Sequence, residues 1–455
     1  MTTKFIDRTP GIQRAVIIDP DMNTHGGAQP SVKQPQGISV ARRYEESRID
    51  EAAGLAIALD LEIAATHTAR VRKPNPATLF GSGKVEEIAD LCDEVEADVV
   101  IINTTLTPIQ QRNLEKAWEK KVVDRTGLIL EIFGRRARTK EGKLQVELAR
   151  LEYEKSRLVR TWTHLERQRA TGTTGGPGET QIELDRRMIA DKIKVLKGDL
   201  EEVRRTRNLH RNARKKVPYP IVALVGYTNA GKSTLFNHLT RAEVLAKDML
   251  FATLDTTLRT LKLPNGRAAI ISDTVGFISD LPHELVAAFR ATLEEVLEAD
   301  LILHVRDMSN PEAEAQGHDV MQVLNHIHPE LDTSRMLEVW NKVDLLDDEA
   351  KDILYARAVT DRAVNKPHMV SAITGEGIER LLTDIAQKVD EAGTEIDVEL
   401  APQDGQLLAF LYNQGRVLGR FDDEQGYIHL KVKLSDQALG RYEQMTGSIK
   451  PQEQW

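Results

Sequence analysis

The spacing of apolar positions divides the chain into segments of different structure. From residue 14 to about 132, short β-branched runs alternate with stretches in which apolar residues recur every three or four positions. Runs of the first kind are typical of buried strands, and stretches of the second kind of amphipathic helices. Strands are predicted at RAVIID, LDLEIAA and DVVIIN, and helices from near Arg42, Gly83 and Pro108. This alternation predicts an α/β domain over residues 1–134.

A different pattern occupies residues 135–217, on either side of the glycine-rich stretch TGTTGGPGETQ. Steps of four and three residues link Leu144, Leu148, Leu151, Lys155 and Leu158 before that stretch. The same steps link Ile189, Ile193, Leu196, Leu200 and Val203 after it, and Ile182 lies one full heptad before Ile189. Narrow apolar seams of this kind predict two helices that pack along each other. The second is expected from about Glu179 to Arg214, a length of roughly 50 Å at 1.5 Å per residue. The pair is therefore predicted to form an antiparallel hairpin with residues 171–178 at its tip.

Strands and helices alternate again after Pro218 and Pro220, which end the second long helix. This third segment is predicted to form a domain over residues 218–392. From about Glu395 the pattern changes to a small tail with one clear strand, YIHLKVKL. The tail is predicted to be a small α+β domain over residues 393–455.

Charge is unevenly distributed along the chain, although the net charge is only −9. Residues 135–216 contain 23 Lys and Arg but 12 Asp and Glu, a net charge of +11, which leaves −20 for the rest. A basic helical surface is either simply solvated or binds RNA, and charge alone does not distinguish the two.

Cysteine content and apolar runs exclude several classes of protein. Cys92 is the only cysteine, so there is no internal disulfide and no multi-cysteine metal site. Its plain interpretation is a small buried apolar residue. No run approaches the roughly 20 apolar residues of a membrane span, and the first residues lack a signal-peptide pattern. We therefore expect a cytoplasmic protein, and a monomer.

The strongest motif is GYTNAGKS, between the strand PIVALV and the helix STLFNHL. Two glycines five residues apart, followed by Lys and Ser, are the pattern of a phosphate-binding loop. Gly226 and Gly231 let backbone N–H groups face the phosphates, Lys232 is expected to reach the β and γ oxygens, and the Ser233 hydroxyl to ligate Mg²⁺. The residues predicted to bind nucleotide are Gly226, Tyr227, Thr228, Asn229, Ala230, Gly231, Lys232, Ser233 and Thr234.

The base is indicated by NKVD, which follows the strand RMLEVW. The Asp344 carboxylate can accept hydrogen bonds from the guanine ring N–H and exocyclic amine, whereas adenine presents an acceptor there. This predicts GTP and GDP as ligands rather than ATP. Asn341 is expected to hold the purine edge, and Lys342 to lay its alkyl stem along the base plane. Ser371 and Ala372 follow another strand, so the Ala372 N–H is expected to face the guanine oxygen.

Two further stretches predict switch segments. In DTVGF, Asp273 is placed to hold Mg²⁺ through water, and the Gly276 N–H can meet the γ-phosphate, so that hydrolysis would release the following segment. In FATLDTTLR, Thr257 is the expected ligand of Mg²⁺ and the γ-phosphate, and Thr256 is less favoured. The catalytic candidates are thus Lys232, Thr257 and Gly276, and the metal candidates are Ser233, Thr257 and Asp273.

These motifs define the predicted fold class: an N-terminal α/β domain with a long antiparallel helical hairpin, followed by a P-loop GTPase domain and a small α+β C-terminal domain. GSGK at 81–84 also resembles a phosphate loop but lacks its first glycine, because Thr78 stands there. It predicts only a turn that opens a helix.

The motifs resemble those of the translation-factor-related class of GTPases, with one difference. Where Ras-like relatives carry a glutamine that orients the attacking water, this chain has Phe277, which cannot hydrogen-bond water. Hydrolysis is therefore expected to be slow without help. The resemblance also implies that Asn229 can ligate K⁺, since potassium-activated relatives carry an asparagine at this position of the loop.

Over residues 75–390 the chain resembles the HflX family of GTPases. The resemblance is carried by GSGKVEEIADL, QRNLEKAW, VVDRTGLILEIFGRRARTKEGKLQVELARLEYEKSRL and GPGETQIELDRR, followed by the GTPase motifs. It implies a ribosome-associated GTPase that separates the subunits of stalled or stress-arrested ribosomes. It also implies contact with the large (50S) subunit, with the hairpin tip pointed toward rRNA near the peptidyl-transferase region.

The chain departs from the family pattern at Gly175, where relatives usually carry a basic residue before GPGE and a longer glycine run. Tip contacts are therefore expected to be weaker or differently aimed. Two alternative functions remain at this point: another GTPase directed at RNA or ribosome assembly, and a GTP-gated scaffold that assembles through its long helices. The scaffold would need apolar or membrane-binding surface at the tip, which is glycine, threonine and proline.

Overall fold

The computed structural model describes most of the chain in three α/β-rich parts. The described residues are 12–22, 45–161, 177–214, 219–241, 250–251, 253–254, 256–279, 296, 299–329, 331–360, 366–391, 394–423, 425–434 and 436–446.

The N-terminal part is a four-stranded parallel sheet with helices on its faces, in the order β2-β1-β3-β4. The strands are β1 (Arg14–Asp21), β2 (Glu62–Arg70), β3 (Val99–Ile102) and β4 (Lys121–Asp124), and the helices are α1 (Glu45–Ile57), α2 (Ser82–Glu94), α3 (Pro108–Trp118) and α4 (Arg125–Arg136). All four residues of β3 are buried, as a run of β-branched residues at the centre of a parallel sheet requires. The predicted α/β architecture is confirmed.

Local signals fix where several of these elements begin. Thr107 and Gln110 form a capping box at the start of α3, with Pro108 at its first position. GSGK opens α2 after Gly81, so its interpretation as a turn is confirmed. The strand predicted at LDLEIAA begins three residues late, because the chain first turns at Asp60, whose φ is +61°.

Cys92 lies on the inner face of α2 and is fully buried. Burial raises the pKa of its thiol to about 11, so the thiolate is scarce at neutral pH. The plain interpretation of this residue, a small apolar core side chain, is confirmed.

Two long helices follow, α5 (Lys140–Thr161) and α6 (Pro177–Arg214). They pack against each other, with Leu151 and Ile193 buried. An ion pair joins the Lys197 ammonium to the Glu152 carboxylate at 3.0 Å. Residues 171–176 of the predicted tip lie outside the described residues, whereas Pro177 and Gly178 form the first residues of α6, so the turn of the hairpin remains a prediction.

Asp124, the last residue of β4, joins the sheet to α5. Its buried carboxylate accepts a hydrogen bond from the Gly127 N–H at 2.8 Å and caps α4. It also accepts bonds from the Tyr153 hydroxyl and the Arg157 guanidinium, each at 2.6 Å. Because one buried charge meets donors from two helices, the C-terminal half of α5 is held against the sheet.

The central part is a six-stranded sheet in the order β10-β9-β8-β5-β7-β6, in which only β6 is antiparallel to its neighbour. Its strands are β5 (Ile221–Gly226), β6 (Thr257–Lys262), β7 (Ala268–Asp273), β8 (Leu301–Asp307), β9 (Met336–Asn341) and β10 (His368–Met369). Its helices are α7 (Lys232–Thr240), α8 (Ala313–Ile327), α9 (Asp348–Thr360) and α10 (Ile378–Glu391), with short 3₁₀ turns at Thr333–Arg335 and Val343–Leu345. The parallel order brings the carboxyl ends of β5, β8 and β9 together at one edge.

The C-terminal part is a three-stranded antiparallel sheet with helices packed on one face. It contains β11 (Thr394–Leu400), α11 (Gly405–Gln414), β12 (Gly415–Asp422), β13 (Ile428–Leu434) and α12 (Asp436–Thr446), and the strand order is β11-β13-β12. The strand expected at YIHLKVKL is present as β13, and alternate residues of it are buried. The Arg267 guanidinium, beside the turn between β6 and β7, donates to the Gln414 carbonyl at 2.8 Å.

Among the helices of the described ranges, none is long and apolar enough to cross a membrane.

Candidate functional site

The loop between β5 and α7 needs both of its glycines. Gly226 has φ +152°, and a Cβ there would lie 2.1 Å from the Val305 carbonyl oxygen. Gly231 has φ +89°, and a Cβ there would lie 2.2 Å from the amide nitrogen of Asn341. The Val305 backbone and the Asn341 side chain thus lie too close to these two positions for any side chain there. The loop has the tight curvature that a phosphate-binding loop requires.

Lys232 at the start of α7 is buried against this loop. Its ammonium donates to the carbonyl oxygens of Gly226 at 3.0 Å and Tyr227 at 2.7 Å. Burial lowers the pKa of Lys232 to about 8, and the nearby charge of Asp273 opposes that effect. The side chain is therefore held within the loop, where phosphate oxygens would complete its surroundings.

Three oxygen-bearing side chains meet beside Lys232. The Ser233 hydroxyl donates to Asp273 Oδ2 at 2.7 Å, and the Thr253 hydroxyl donates to the same oxygen at 3.0 Å. The two hydroxyl oxygens lie 2.8 Å apart. Burial raises the pKa of Asp273, although the hydrogen bond from Ser233 and the charge of Lys232 act in the opposite direction. The hydroxyl oxygens of Ser233 and Thr253 and one carboxylate oxygen of Asp273 thus lie within hydrogen-bond distance of one another.

Sequence reasoning did not select Thr253. It chose Thr257, which the structure places at the first position of β6, opposite Asp273 in the strand register. FATLDTTLR holds three threonines, and the spacing of its apolar residues does not show where the strand begins. No local signal therefore separates Thr253 from the other two threonines.

Asn341, at the end of β9, connects the phosphate loop to the SAITGEG loop. Its amide nitrogen donates to the Ala230 carbonyl at 2.8 Å, and its amide oxygen accepts from the Ala372 N–H at 3.0 Å. The Ala372 N–H, expected at the guanine oxygen, is therefore bonded to Asn341 here. Ser371 is fully buried and accepts from the Thr374 N–H at 3.0 Å, which shapes the same loop.

The remaining predicted residues lie around this edge. Asp344 is half-buried in the 3₁₀ turn after β9, and within the described residues its carboxylate has no hydrogen-bond donor. Lys342, just before it, has φ +64°. Asn229 is exposed at the outer face of the loop with φ +61°, and Thr234 is half-buried on α7. Their roles toward a nucleotide stay predictions.

The segment after β7 lies directly on the phosphate loop. The Phe277 N–H donates to the Gly226 carbonyl at 3.1 Å, and the Thr228 N–H donates to the Phe277 carbonyl at 2.6 Å. A Cβ on Gly276 would lie 2.9 Å from the Thr228 Cα, so glycine is required for this approach. The Phe277 ring is buried in a core that also contains side chains of α1 and α4.

A polar cluster that sequence reasoning missed joins this segment to the N-terminal part. Ser279 donates its N–H to the Tyr227 hydroxyl at 2.9 Å, and its carbonyl accepts from the Arg125 guanidinium at 3.1 Å. The Glu51 carboxylate binds both Arg125 and the Tyr227 hydroxyl. Arg125 also donates to the Asn103 side chain at 2.6 Å. The side chain of Tyr227, a predicted nucleotide ligand, therefore faces the neighbouring domain.

The carboxyl edge of the parallel sheet carries a glycine-bounded loop, a buried lysine, a Ser–Asp pair and an NKVD turn. This arrangement is that of a P-loop nucleotide-binding domain. Family models agree and cover most of the chain. They match a GTP-binding GTPase N-terminal region (residues 46–134), a GTP-binding GTPase middle region (136–214), a 50S ribosome-binding GTPase (221–342) and an HflX C-terminal domain (357–455).

Individual relatives show the same relationship over most of the chain. A GTPase HflX of Magnetococcus marinus is 52% identical over 403 residues, covering 88% of this chain and 91% of its own. A GTPase HflX of Escherichia coli is 43% identical over 367 residues, covering 80% and 84% of the two chains. The chain belongs to the HflX family of ribosome-binding GTPases, so it binds guanine nucleotides and hydrolyses GTP.

Solved structures include a GTP-binding protein of the archaeon Sulfolobus solfataricus bound to GDP. It is 23% identical and aligns with 84% of this chain and 99% of its own, with a TM-score of 0.43.

Proposed function

We propose that this GTPase separates the subunits of stalled or stress-arrested ribosomes, using its helical hairpin to reach rRNA of the large subunit. The observation that carries the proposal is the basic surface of α6, a helix of 38 residues, about 57 Å at 1.5 Å per residue. Its exposed cations include Arg186, Arg187, Lys192, Lys194 and Lys197. Cations along a projecting helix suit the phosphate backbone of RNA, which positions a protein without reading sequence.

The glycine-rich tip, residues 171–178, is proposed to act near the peptidyl-transferase region. Glycine permits close approach to RNA, and hydroxyl and backbone N–H groups can bind phosphates. We further propose that the protein acts on ribosomes as a monomer and in the cytoplasm.

The phosphate loop is proposed to hold the nucleotide through its backbone N–H groups and the Lys232 ammonium. Asp344 reads the guanine base, and the Gly276 N–H binds the γ-phosphate. In the structure, Thr228 and Phe277 bond to each other across the place where Gly276 meets the loop. We propose that γ-phosphate binding at Gly276 acts on this contact and, through it, on the segment that holds Ser279.

The site fits Mg²⁺, which prefers oxygen ligands. The oxygens of Ser233, Thr253 and Asp273 already converge, each pair within 2.7–3.0 Å. We assign the switch threonine to Thr253 on this contact; Thr257 remains the alternative from sequence. A bound Mg²⁺ would neutralise charge on the phosphate oxygens. The two hydroxyls and the carboxylate would hold the ion, and Lys232 would add a positive charge beside it.

Hydrolysis is proposed to be slow in the isolated protein and faster with large subunits or K⁺. The Phe277 side chain is buried in the domain interface, so it cannot orient water. Asn229 is exposed beside the loop, where its amide oxygen can ligate K⁺ and add positive charge near the phosphates.

The proposal is tested by light scattering of intact ribosomes mixed with protein and a non-hydrolysable GTP analogue. Deleting residues 172–178, or replacing both Lys192 and Lys194 with Glu, should reduce splitting at least tenfold and leave GTP affinity unchanged. The matched control replaces Arg72 and Lys73, two exposed cations on the N-terminal part, with Glu. Equal loss in the control would show a general charge effect and contradict the proposal.

Sedimentation distinguishes the two alternatives. Co-migration with subunits without any splitting would favour another RNA-directed GTPase, and pelleting without ribosomes would favour a scaffold.

A further inference from the structure

An ion pair lies at the carboxyl ends of β8 and β9, beside the guanine-reading turn. Asp307 is the last residue of β8, and it stands opposite Asn341 in the register of β8 and β9. The Lys342 ammonium donates to Asp307 Oδ2 at 2.7 Å. The Asp307 side chain is 13% exposed and the Lys342 side chain 21%, so water screens this pair less than a surface pair.

Asp307 is held in place independently of Lys342. Its other carboxylate oxygen accepts hydrogen bonds from the Ser309 N–H at 3.0 Å and the Ser309 hydroxyl at 2.6 Å. The next residue, Met308, donates its N–H to the Asn341 carbonyl at 3.0 Å. Asp307 Oδ1 therefore stabilises the turn after β8, and Oδ2 accepts the hydrogen bond from Lys342.

Lys342 is constrained from the opposite end. Its φ of +64° is in the left-handed region, which residues other than glycine seldom adopt, so its Cβ leaves the backbone in a fixed direction. A lysine side chain has four rotatable bonds beyond that point and loses much freedom when it is ordered. With the backbone fixed and the ammonium bound, the alkyl stem between them is confined to few conformations. Among the described residues, Asp307 is the only carboxylate paired with this ammonium.

We propose that Asp307 is a positioning residue for guanine-nucleotide binding: it anchors the Lys342 ammonium so that the alkyl stem is ready to lie along the face of the guanine ring. This rests on the proposed role of NKVD in reading the base. Asp307 itself does not touch the nucleotide. Because the stem meets the base and not the phosphates, Asp307 contributes equally to GDP and GTP affinity. Its contribution disappears when the lysine side chain is absent.

The size of the effect follows from pre-organisation. When the binding-competent conformation of a protein side chain is populated only part of the time, the apparent affinity for the ligand is reduced by that fraction. Releasing a lysine from one conformation to its ordinary rotamers corresponds to roughly a tenfold loss of affinity. Faster release of the nucleotide should account for most of this loss of affinity, since weaker contacts within a complex chiefly raise its dissociation rate.

The test is a double-mutant cycle on the full-length protein, with GDP and GTP affinities and GDP release measured by fluorescence. Asp307→Asn keeps the size of the side chain and an oxygen for Ser309, but loses the charge. It should weaken GDP and GTP by the same factor, roughly tenfold. In the Lys342→Met background the same change should have no further effect. Asp307→Glu should recover part of the affinity.

Two further measurements separate positioning from a general structural role. Pyrophosphate lacks the base, so its competition for the phosphate loop should be unchanged in Asp307→Asn. Ser309→Ala, the matched control, removes the hydroxyl contact on the other oxygen but keeps the N–H contact that holds Asp307, and it should leave GDP affinity near that of the wild type.

Full GDP affinity in Asp307→Asn would overturn the proposal. An equal loss in the Lys342→Met background would also overturn it, because Asp307 would then act through the turn. Failure of base reading has a different signature: a wild-type protein that binds ADP as well as GDP would contradict the NKVD assignment itself, whatever the cycle shows.

Discussion

At the scale of single residues, the nucleotide site depends on charges that are costly to bury. Lys232 has a lowered pKa and Asp273 a raised one, and in both cases burial is the largest cause. The phosphate-loop and NKVD motifs could be predicted from sequence because each is local and ordered by neighbouring strands. Thr253 could not be chosen among three threonines, because its position depends on where β6 starts.

Asp344→Asn should move base preference from guanine toward xanthine, because the amide presents a donor where the carboxylate presents only acceptors. GTP affinity should fall by at least tenfold, and affinity for xanthosine triphosphate should rise. Competition binding with both nucleotides measures the change, with Asp347→Asn, an exposed neighbour, as the control. Unchanged GTP affinity without a gain for the xanthine nucleotide would contradict the base assignment.

At the scale of elements, helices were easier to predict than the contacts between them. The seam spacing predicted α6 from Glu179, and the helix begins at Pro177 and ends at the predicted Arg214. No sequence period indicates ion pairs that cross from strand to helix. Arg306 on β8 bonds to Glu338 on β9 at 3.4 Å and to Glu314 on α8 at 2.8 Å. Such contacts join residues distant in the chain.

Glu338 should make the stability of the protein sensitive to acid. Burial raises the pKa of this carboxyl, but the charges and hydrogen bonds of His304 and Arg306 outweigh it, and the pKa is lowered overall. A lowered folded-state pKa stabilises the fold above the unfolded value, about 4.3 for Glu, and that stability is lost as the pH falls through the folded value. Glu314 and Arg357 complete the cluster.

Urea unfolding at several pH values measures this contribution. Glu338→Gln should be less stable than the wild type at pH 6, and the difference should shrink as the pH falls below the unfolded-state pKa of Glu and through the lowered folded-state pKa. Glu62→Gln, at an exposed position on β2, serves as the control and should follow the wild type. A difference that grows on acidification would contradict the assigned direction of the pKa shift.

At the scale of the whole molecule, the N-terminal and central parts share one core. Phe277 and Ile278 pack in the same apolar cluster as Leu55 and Phe133. The sequence motifs predicted a separate domain on each side but not this interface, because the contacts join residues more than 100 positions apart. The buried Glu51–Arg125 pair adds polar contacts to Ser279 and Tyr227 across it.

Arg125→Ala should uncouple the two parts, because it removes the guanidinium that joins Glu51 to the Ser279 carbonyl and leaves the Glu51 carboxylate without its ion-pair partner. Breaking a buried ion pair costs about 3–5 kcal/mol, and adding Glu51→Gln should recover part of the loss by removing the unpaired charge.

Calorimetry should show one transition in the wild type, and GDP should raise the temperature of that whole transition, since a ligand stabilises everything that unfolds with its site. In Arg125→Ala two transitions should appear, and GDP should raise only the one that contains the phosphate loop. Arg135→Ala, which removes an ion pair to exposed Asp60 within the N-terminal part, should keep a single transition. If Arg125→Ala also unfolds in one step that GDP raises as a whole, the apolar core around Phe277 is sufficient to couple the two parts without the polar cluster.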